Sequence, residues 1–202
     1  ADGTLYITDV GSNEGDRVLR VQPGANHGFC CDWEMGAVHV FEERVAPVAL
    51  DFDEEGVLGS YYQGDLFVAW SGPTYAQGQP PNGKRIWQFT LDDTGAVVVD
   101  QEFLRYTGGG SATTLGLAMG PDGLYFTDLY KDTEYLSPID RGALVLRIRY
   151  VGRADFNANR RGGDAPLEVQ FVDQSDVPGA VAWHWDFGDG GNSDLQSPAH
   201  TY

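Results

Sequence analysis

The two cysteines of this chain are adjacent, Cys30 and Cys31, and lie within the stretch Asn26–Trp33. A zinc site needs about four ligands, and only His27 and Asp32 lie close in sequence, so the pattern disfavours zinc. A nucleophilic thiol needs a base held by an orienting partner, and nothing in the sequence places one. Adjacent Cα atoms lie about 3.80 Å apart across a trans peptide, below the usual disulfide range, so a bridge between neighbours requires a distorted or cis peptide. Two buried thiols, bridges to cysteines outside this sequence, and the vicinal ring remain open, and for an exported protein we favour a bridge of some kind.

Other polar residues with chemical potential have ordinary structural interpretations. Asp186, Asp189 and Asp194 could bind Ca²⁺, but aspartates in a glycine-rich turn usually cap backbone N–H groups, and we favour capping. Lys84 and Arg85 follow an Asn-Gly step, a pattern that predicts a solvated hairpin tip.

The elements that must position these residues are β-strands. The chain has 27 glycines and 10 prolines, and its short apolar segments are bounded by Asp-Gly or Asn-Gly turns. No stretch sustains an apolar 3.6-residue period over three turns, so long helices are not expected. The pattern predicts an all-β protein. His27 and His39 are expected to be structural histidines within it.

Composition limits the partners. Of the 202 residues, 13 are basic and 30 are acidic, giving a formal net charge of −17. This charge disfavours binding to nucleic acid or to anionic membrane surfaces. No apolar run approaches the ~18 residues of a spanning helix, so no membrane insertion is expected. The scattered acidic residues fit the solvated surface of an exported protein.

An internal repeat predicts the architecture. The segment Asp2–Asp9 recurs as Asp122–Asp128 and, more loosely, as Gln63–Trp70, so that Leu5, Leu66 and Leu124 are equivalent. A second apolar element follows each copy, at Val18–Val21, Ile86–Phe89 and Val145–Ile148. Three copies of a multi-stranded unit of about 60 residues predict about three blades of a β-propeller. Three blades would leave two open flanks, so we expect further blades upstream.

The pattern changes after Val151. We predict a propeller segment over residues 1–151, a polar, Gly-rich linker over 152–164 and a second module over 165–202. Leu167–Val172 alternates as a strand.

The second module resembles the N-terminal part of PKD domains, which are immunoglobulin-like β-sandwiches common in exported microbial proteins. Alternate Trp and Phe residues would fill its core, and Gly188 and Gly190 would permit its tight turn. The family continues for several more strands, so the resemblance implies further PKD strands downstream. The matching residues are Pro166-Leu167, Phe171, Asp173, Ser175, Trp183, Trp185–Gly190, Ser193, Pro198 and His200–Tyr202.

The first 150 residues resemble the C-terminal half of the glucose/sorbosone dehydrogenases, six-bladed propellers whose active members oxidise sugars with pyrroloquinoline quinone and Ca²⁺. The resemblance rests on Asp2–Tyr6, Gly11–Asn13 with Asp16, Pro23–Phe29, Gly64–Phe67, Leu115–Ala118 and Gly120–Tyr125. In that family two backbone carbonyls hold the calcium, and the matching positions are Gly11 and Ser12. A Gly-Ser-Asn turn without an ion is the alternative at this point.

Other positions depart from the family pattern. Thr113 and Leu115 stand where sugar-oxidising relatives place an Arg-x-Arg that binds the quinone carboxylates, and a guanidinium fork is hard to replace there. Glu42–Arg44 stands where they place a Trp against the quinone. Lys84 and Arg85 could supply positive charge from another loop. The family's histidine base and its Arg-Asn pair belong to the upstream half.

Two functions follow from the resemblance. The first is a quinone-dependent sugar dehydrogenase, in which a sugar hydroxyl is oxidised by hydride transfer to the quinone. The second is a propeller without cofactor that, with its PKD neighbour, binds a glycan or protein or acts as a scaffold. Either predicts a secreted, periplasmic or cell-surface protein.

Overall fold

The computed structural model describes residues 3–11, 15–27, 36–72, 78–128, 143–177, 180 and 182–202. Ser12 and the cysteine pair lie outside these residues. The described chain is all-β, as predicted, and its one helical element is a 3₁₀ turn at Ser60–Tyr62. Within these residues no helix combines the length and apolarity that crossing a membrane requires. The chain divides into two compact units, Ala1–Arg149 and Tyr150–Tyr202.

The first unit consists of three antiparallel sheets in chain order. The first sheet contains β1 (Leu5–Asp9), β2 (Arg17–Val21) and β3 (Ala37–Val40). The second is a four-stranded meander of β4 (Pro47–Phe52), β5 (Leu66–Trp70), β6 (Arg85–Leu91) and β7 (Val97–Arg105). The third contains β8 (Thr114–Gly120), β9 (Gly123–Asp128) and β10 (Leu144–Ile148). The two-residue connection Pro121–Asp122 joins β8 to β9, and Gly123 is the first residue of β9.

The predicted repeat holds in the strand register. Leu5 of β1 pairs with Val21, Leu66 of β5 with Phe89, and Leu124 of β9 with Ile148. Three positions further along β1, β5 and β9, the partners are the equivalent residues Val18, Ile86 and Val145. The three hairpins therefore share one pairing register, and β1, β5 and β9 occupy equivalent positions in it.

Both faces of β5 in the second sheet are buried, which explains why this strand consists of five consecutive apolar residues. Leu66, Val68 and Phe89 pack against the first sheet around Val18. Phe67 and Ile86 pack against the third sheet around Leu124. Hydrogen bonds join neighbouring sheets as well, from the Arg20 guanidinium to the Thr94 carbonyl at 3.1 Å and from the Met119 N–H to the Asp51 carboxylate at 2.7 Å.

The second unit has a small sheet ordered β11 (Phe156–Ala158), β12 (Glu168–Asp173) and β15 (Ala199–Thr201). A separate hairpin pairs β13 (Trp185–Asp186) with β14 (Asn192–Ser193). An aromatic cluster holds these strands together, with ring centroids of Phe156, Phe171, Trp185 and Phe187 between 5.4 and 5.9 Å apart in contacting pairs.

Strand β11 lies within residues 152–164, the range predicted to be a linker. Phe156 packs edge-on against both Phe171 and Trp185, and Asn157 and Ala158 pair with β12. The polar, Gly-rich composition concealed this strand because only one of its three residues is large and apolar. The structure therefore places a short strand within the range for which the sequence predicts a linker.

Candidate functional site

Several buried polar residues of the first unit, among them Asp16, Lys84 and Thr113, lie at one end of its sheets. There, β1, β5 and β9 end at Asp9, Trp70 and Asp128, and β6 begins at Arg85. The strands β4 and β6 are antiparallel to β5, and β8 is antiparallel to β9. The segment that follows β5 and the segments that precede β4, β6 and β8 therefore lie at this end. We call it the polar end.

Asp16 is the most fully engaged carboxylate there, and only 1% of the residue is exposed. Its Oδ1 accepts the Gly11 N–H at 3.0 Å. Its Oδ2 accepts the Val45 and Ala46 N–H groups at 2.6 and 2.7 Å. Ala46 has a φ of 47°, an unusual value for a residue with a side chain. Asp16 thus ties the turn after β1 to the segment that enters β4, and it fixes a strained backbone conformation.

A second buried network lies between the second and third sheets. The Ser71 and Thr113 hydroxyls are 3.0 Å apart and both residues are buried. The Thr113 N–H donates to Asp128 Oδ1 at 2.9 Å. These contacts join the end of β5 to the start of β8 and the end of β9. Thr113 is therefore a structural residue in this arrangement.

Lys84 corrects a prediction. It was expected on a solvated hairpin tip, but only 2% of the residue is exposed. Its ammonium donates to the carbonyls of Gly78 at 2.9 Å and Gly110 at 3.3 Å, and it lies 5.2 Å from the centre of the Tyr106 ring. Buried ammonium groups require such partners. The Asn-Gly step was misleading because β5 and β6 are joined by residues 71–84 and not by a tight turn.

Two glycines bring the ends of that connection together. Gly72 and Gly83 have φ values of 59° and 81°. A Cβ built on Gly83 would lie 2.3 Å from the Gly72 Cα. Only two residues without side chains permit this approach, and Lys84 follows directly after it.

Arg85 and Arg105 share one carboxylate, that of Glu102. The Arg105 guanidinium donates to both Glu102 oxygens, and its Nη2 lies 2.8 Å from Oε2. Arg85 Nε lies 3.1 Å from the same oxygen, but the contact is too bent for a hydrogen bond and is electrostatic. Arg85 is largely buried and Arg105 is exposed. The two cations are therefore close together and only partly compensated by one anion.

These groups line a cleft of about 380 Å³ between the second and third sheets. Its polar lining includes Lys84, Arg85, Arg105, Tyr106, Thr114 and Asp128, and its floor contains apolar side chains such as Phe126. Cationic, hydroxyl, carboxylate and aromatic groups thus converge on a space large enough for a small polar molecule.

His39 is half-buried away from this cleft. Its ring lies 4.7 Å from that of Phe41 and 4.9 Å from that of Phe89, and its Nδ1 is 3.6 Å from Asp100. Burial lowers the pKa of His39, and the negative charge of Asp100 opposes that effect. These contacts fit the structural role predicted for this histidine.

The residues implied for calcium and the quinone have different positions. Gly11 lies at the polar end beside Asp16, while Ser12 lies outside the described residues. Within the described ranges, no group of three or more His, Cys, Asp or Glu side chains is arranged to hold a metal ion. Leu115 is part of β8, and Glu42–Glu43 is an exposed pair before β4.

The aspartates of the second unit cap turns. Asp186 Oδ1 accepts the Gly188 N–H and Asp189 Oδ1 accepts the Gly191 N–H, both at 2.9 Å. This capping was the favoured prediction for both residues. Asp194 instead lies 2.8 Å from His184 Nδ1. Gly188 and Gly190 have φ values of 84° and 95°, as the predicted tight turn requires.

Sequence reasoning missed Asp16 and Glu102 as organising carboxylates. An aspartate between two strands gives no local indication that its partners lie about 30 positions downstream. Only the position of the segment that enters β4, whose Val45 and Ala46 N–H groups donate to Asp16, identifies it. No protein-family model matches the chain, and no curated protein matches it.

Proposed function

We propose that this chain is part of an exported, multi-module protein whose first unit is a propeller segment of the glucose/sorbosone dehydrogenase type and whose second unit is the first part of a PKD-like sandwich. We further propose that the first unit binds a sugar or glycan in the cleft at the polar end. The net charge of −17 and the PKD resemblance support an exported protein. The matching register of three successive hairpins supports the propeller assignment.

The cleft is the observation that carries the binding proposal. A sugar presents hydroxyl groups around its rim and C–H groups on its ring faces. Arg105 offers a charged donor and Thr114 a hydroxyl group for the sugar hydroxyls, and Tyr106 and Phe126 offer aromatic surface for the C–H groups. This combination is typical of a site that orients a small polar ring within a partly apolar pocket.

Binding is tested by calorimetric titration of the chain with a panel of aldoses and oligosaccharides. We expect saturable binding of at least one sugar and a loss of at least about tenfold in affinity in Arg105→Ala and Tyr106→Ala. Arg153→Ala is the matched control, because the side chain of Arg153 is 80% exposed in the second unit. Equal affinities in all three variants would refute the cleft as the binding site.

Quinone-dependent oxidation of a sugar is the second candidate. The three cations of the cleft favour it, because a carboxylate-rich cofactor needs positive charge. The described residues fit the quinone poorly, however. Thr113 stands where the family has an arginine, and it is buried and hydrogen-bonded to Ser71 and Asp128. Lys84 already donates to two carbonyls.

The two candidates are separable by one experiment. The chain is incubated with pyrroloquinoline quinone and Ca²⁺, dialysed and examined for retained quinone absorbance and for dye reduction by aldoses. Retained absorbance with turnover supports the dehydrogenase. Sugar binding without retained quinone supports a binding module alone.

A further inference from the structure

Arg85, which lines the cleft, is a buried cation with few hydrogen-bond partners. Its side chain is only 11% exposed. Its Nη2 donates one long hydrogen bond, of 3.5 Å, to the Pro80 carbonyl. Its Nε is buried and, within the part of the chain that the structure describes, has no hydrogen-bond acceptor. Because a guanidinium group has five N–H donors and is costly to remove from water without acceptors, Arg85 requires a further acceptor.

Arg85 and Arg105 are directly paired in the register of β6 and β7. Like charges at directly opposite positions destabilise a pair of strands. Glu102 offsets this repulsion only in part, because its one carboxylate is shared by both guanidinium groups. An anion that contacts both arginines would remove the remaining repulsion.

The charges at the cleft leave one positive charge unbalanced. The described lining contains three cations, Lys84, Arg85 and Arg105. The anions there are Asp128, in the lining, and Glu102, beside the two arginines. This local excess of positive charge lies in a chain whose net charge is −17. The chain as a whole therefore repels anions, and only a local contact at these cations would hold one.

We propose that the ligand of the cleft is an acidic sugar, a hexuronic acid whose carboxylate lies against Arg85 and Arg105. This inference rests on the proposed function, in which the cleft binds a sugar, and it specifies the class of sugar. Arg105 contacts Glu102 through its Nε and Nη2, so its Nη1 is not needed for that ion pair. Guanidinium groups bind carboxylates through paired N–H donors. A carboxylate carries the single negative charge that balances the cleft, whereas a phosphate carries about two.

Calorimetric titration of the chain with matched sugars tests the proposal. Glucose is compared with glucuronate, and galactose with galacturonate, since the members of each pair differ only at C6. We expect the uronate of at least one pair to bind at least about tenfold more tightly than its neutral partner. The methyl ester of that uronate, which has no charge, should bind like the neutral sugar. Glucose 6-sulfate, which is also a monoanion, should bind more weakly than glucuronate.

Two variants locate the carboxylate. Arg105→Gln removes the charge at an exposed position and keeps an amide donor, so it should weaken uronate binding at least about fivefold and neutral-sugar binding less than about threefold. Arg85→Gln should have the same effect. Because Arg85 is buried, Arg105→Gln decides the test if Arg85→Gln does not fold, as judged by circular dichroism. Arg153→Gln is the matched control, because it removes the same charge from an 80% exposed side chain in the second unit.

The failure of this proposal is distinguishable from that of sugar binding itself. Equal affinities for uronate and neutral sugar would overturn the acidic ligand and leave sugar binding in the cleft intact. A uronate preference that persists in the folded arginine variants would place the carboxylate elsewhere and overturn the proposal. Tighter binding of glucose 6-sulfate than of glucuronate would overturn the assignment of a carboxylate. If no sugar of either kind binds, the proposed function fails, and this inference fails with it.

Discussion

Removing the Asp16 carboxylate should destabilise the first unit strongly. Asp16→Ala leaves three backbone N–H groups without their acceptor, those of Gly11, Val45 and Ala46. Hydrogen bonds to a charged group contribute about 1.5–3 kcal/mol each. The Ala46 N–H is only partly buried and water can replace its partner, so the three losses will not add fully. We expect the free energy of unfolding to fall by about 3–5 kcal/mol, at the upper end for a single substitution.

Asp16→Asn should cost less, about 1–3 kcal/mol, because one amide oxygen still accepts from Val45 and Ala46 while the amide nitrogen faces the Gly11 N–H. Hydrogen exchange of the β5 amides in increasing urea measures the stability of the first unit without a contribution from the second. Asp92→Ala is the matched control, since Asp92 accepts from Thr94 and Ala96 in an exposed turn. If Asp16→Ala loses no more stability than Asp92→Ala, the assignment of Asp16 as the organising carboxylate is refuted.

Three further outcomes follow from the structure. Gly83→Ala should lower the free energy of unfolding by about 2–4 kcal/mol in the same exchange assay, because the new methyl group meets Gly72 and the φ of residue 83 is positive. Gly64→Ala should lower it by only about 1 kcal/mol, because a methyl group at residue 64 meets nothing within 4 Å. Because burial lowers the pKa of His39, the folded state favours the neutral imidazole. The contribution of His39 to the free energy of unfolding is therefore complete above about pH 6.5 and is lost as the pH falls below that value. His39→Gln should flatten this pH dependence in a series of urea-unfolding measurements. Hydrogen bonds from Ser175, from its hydroxyl first and then from its N–H, lower the pKa of Asp173 to about 2. The Asp173 carboxylate therefore stabilises the second unit above about pH 3.9, and this stabilisation is lost as the pH falls toward 2. NMR of the side-chain carboxyl group should report the titration. Asp173→Asn should make the acid unfolding of the second unit independent of this group.

Each of these three predictions is contradicted by a different result. Equal losses for the two glycine variants would show that the backbone approach at 72 and 83 is not required. An unchanged pH profile in His39→Gln would remove the histidine as the source of acid sensitivity. A carboxyl resonance of Asp173 that titrates near pH 4 would contradict its hydrogen-bonded state.

The all-β class and the strand register of the first unit could be predicted from the sequence. Leu5, Leu66 and Leu124 were expected at equivalent positions, and they pair with equivalent partners in three hairpins. The glycines at 188 and 190 and the capping by Asp186 were also predictable. All of these depend on neighbouring residues, because period-two alternation and turn conformation are local properties.

The candidate site was much less predictable. Lys84 was expected at a solvated tip and is buried, because a connection of more than ten residues folds back through the contact of two glycines. Phe156 was expected in a linker and is a strand residue, because aromatic rings from β12 and β13 pack on it. The assignments to a glucose/sorbosone dehydrogenase-type propeller and to a PKD domain, with their cofactor and their location, stay predictions.

By itself the sequence determined the all-β class, the positions that repeat in three hairpins and the tight turn at Gly188 and Gly190, since these follow from side-chain alternation and backbone preferences within a few residues. The tertiary structure alone decided which equivalent positions are buried, which carboxylate organises the polar end and which cations line the cleft. Those properties depend on what another sheet, tens of residues away in the chain, places opposite each side chain. Val18 and Val145 illustrate the difference, because the same residue type at the same repeat position is buried under a neighbouring sheet in one case and exposed among the described residues in the other.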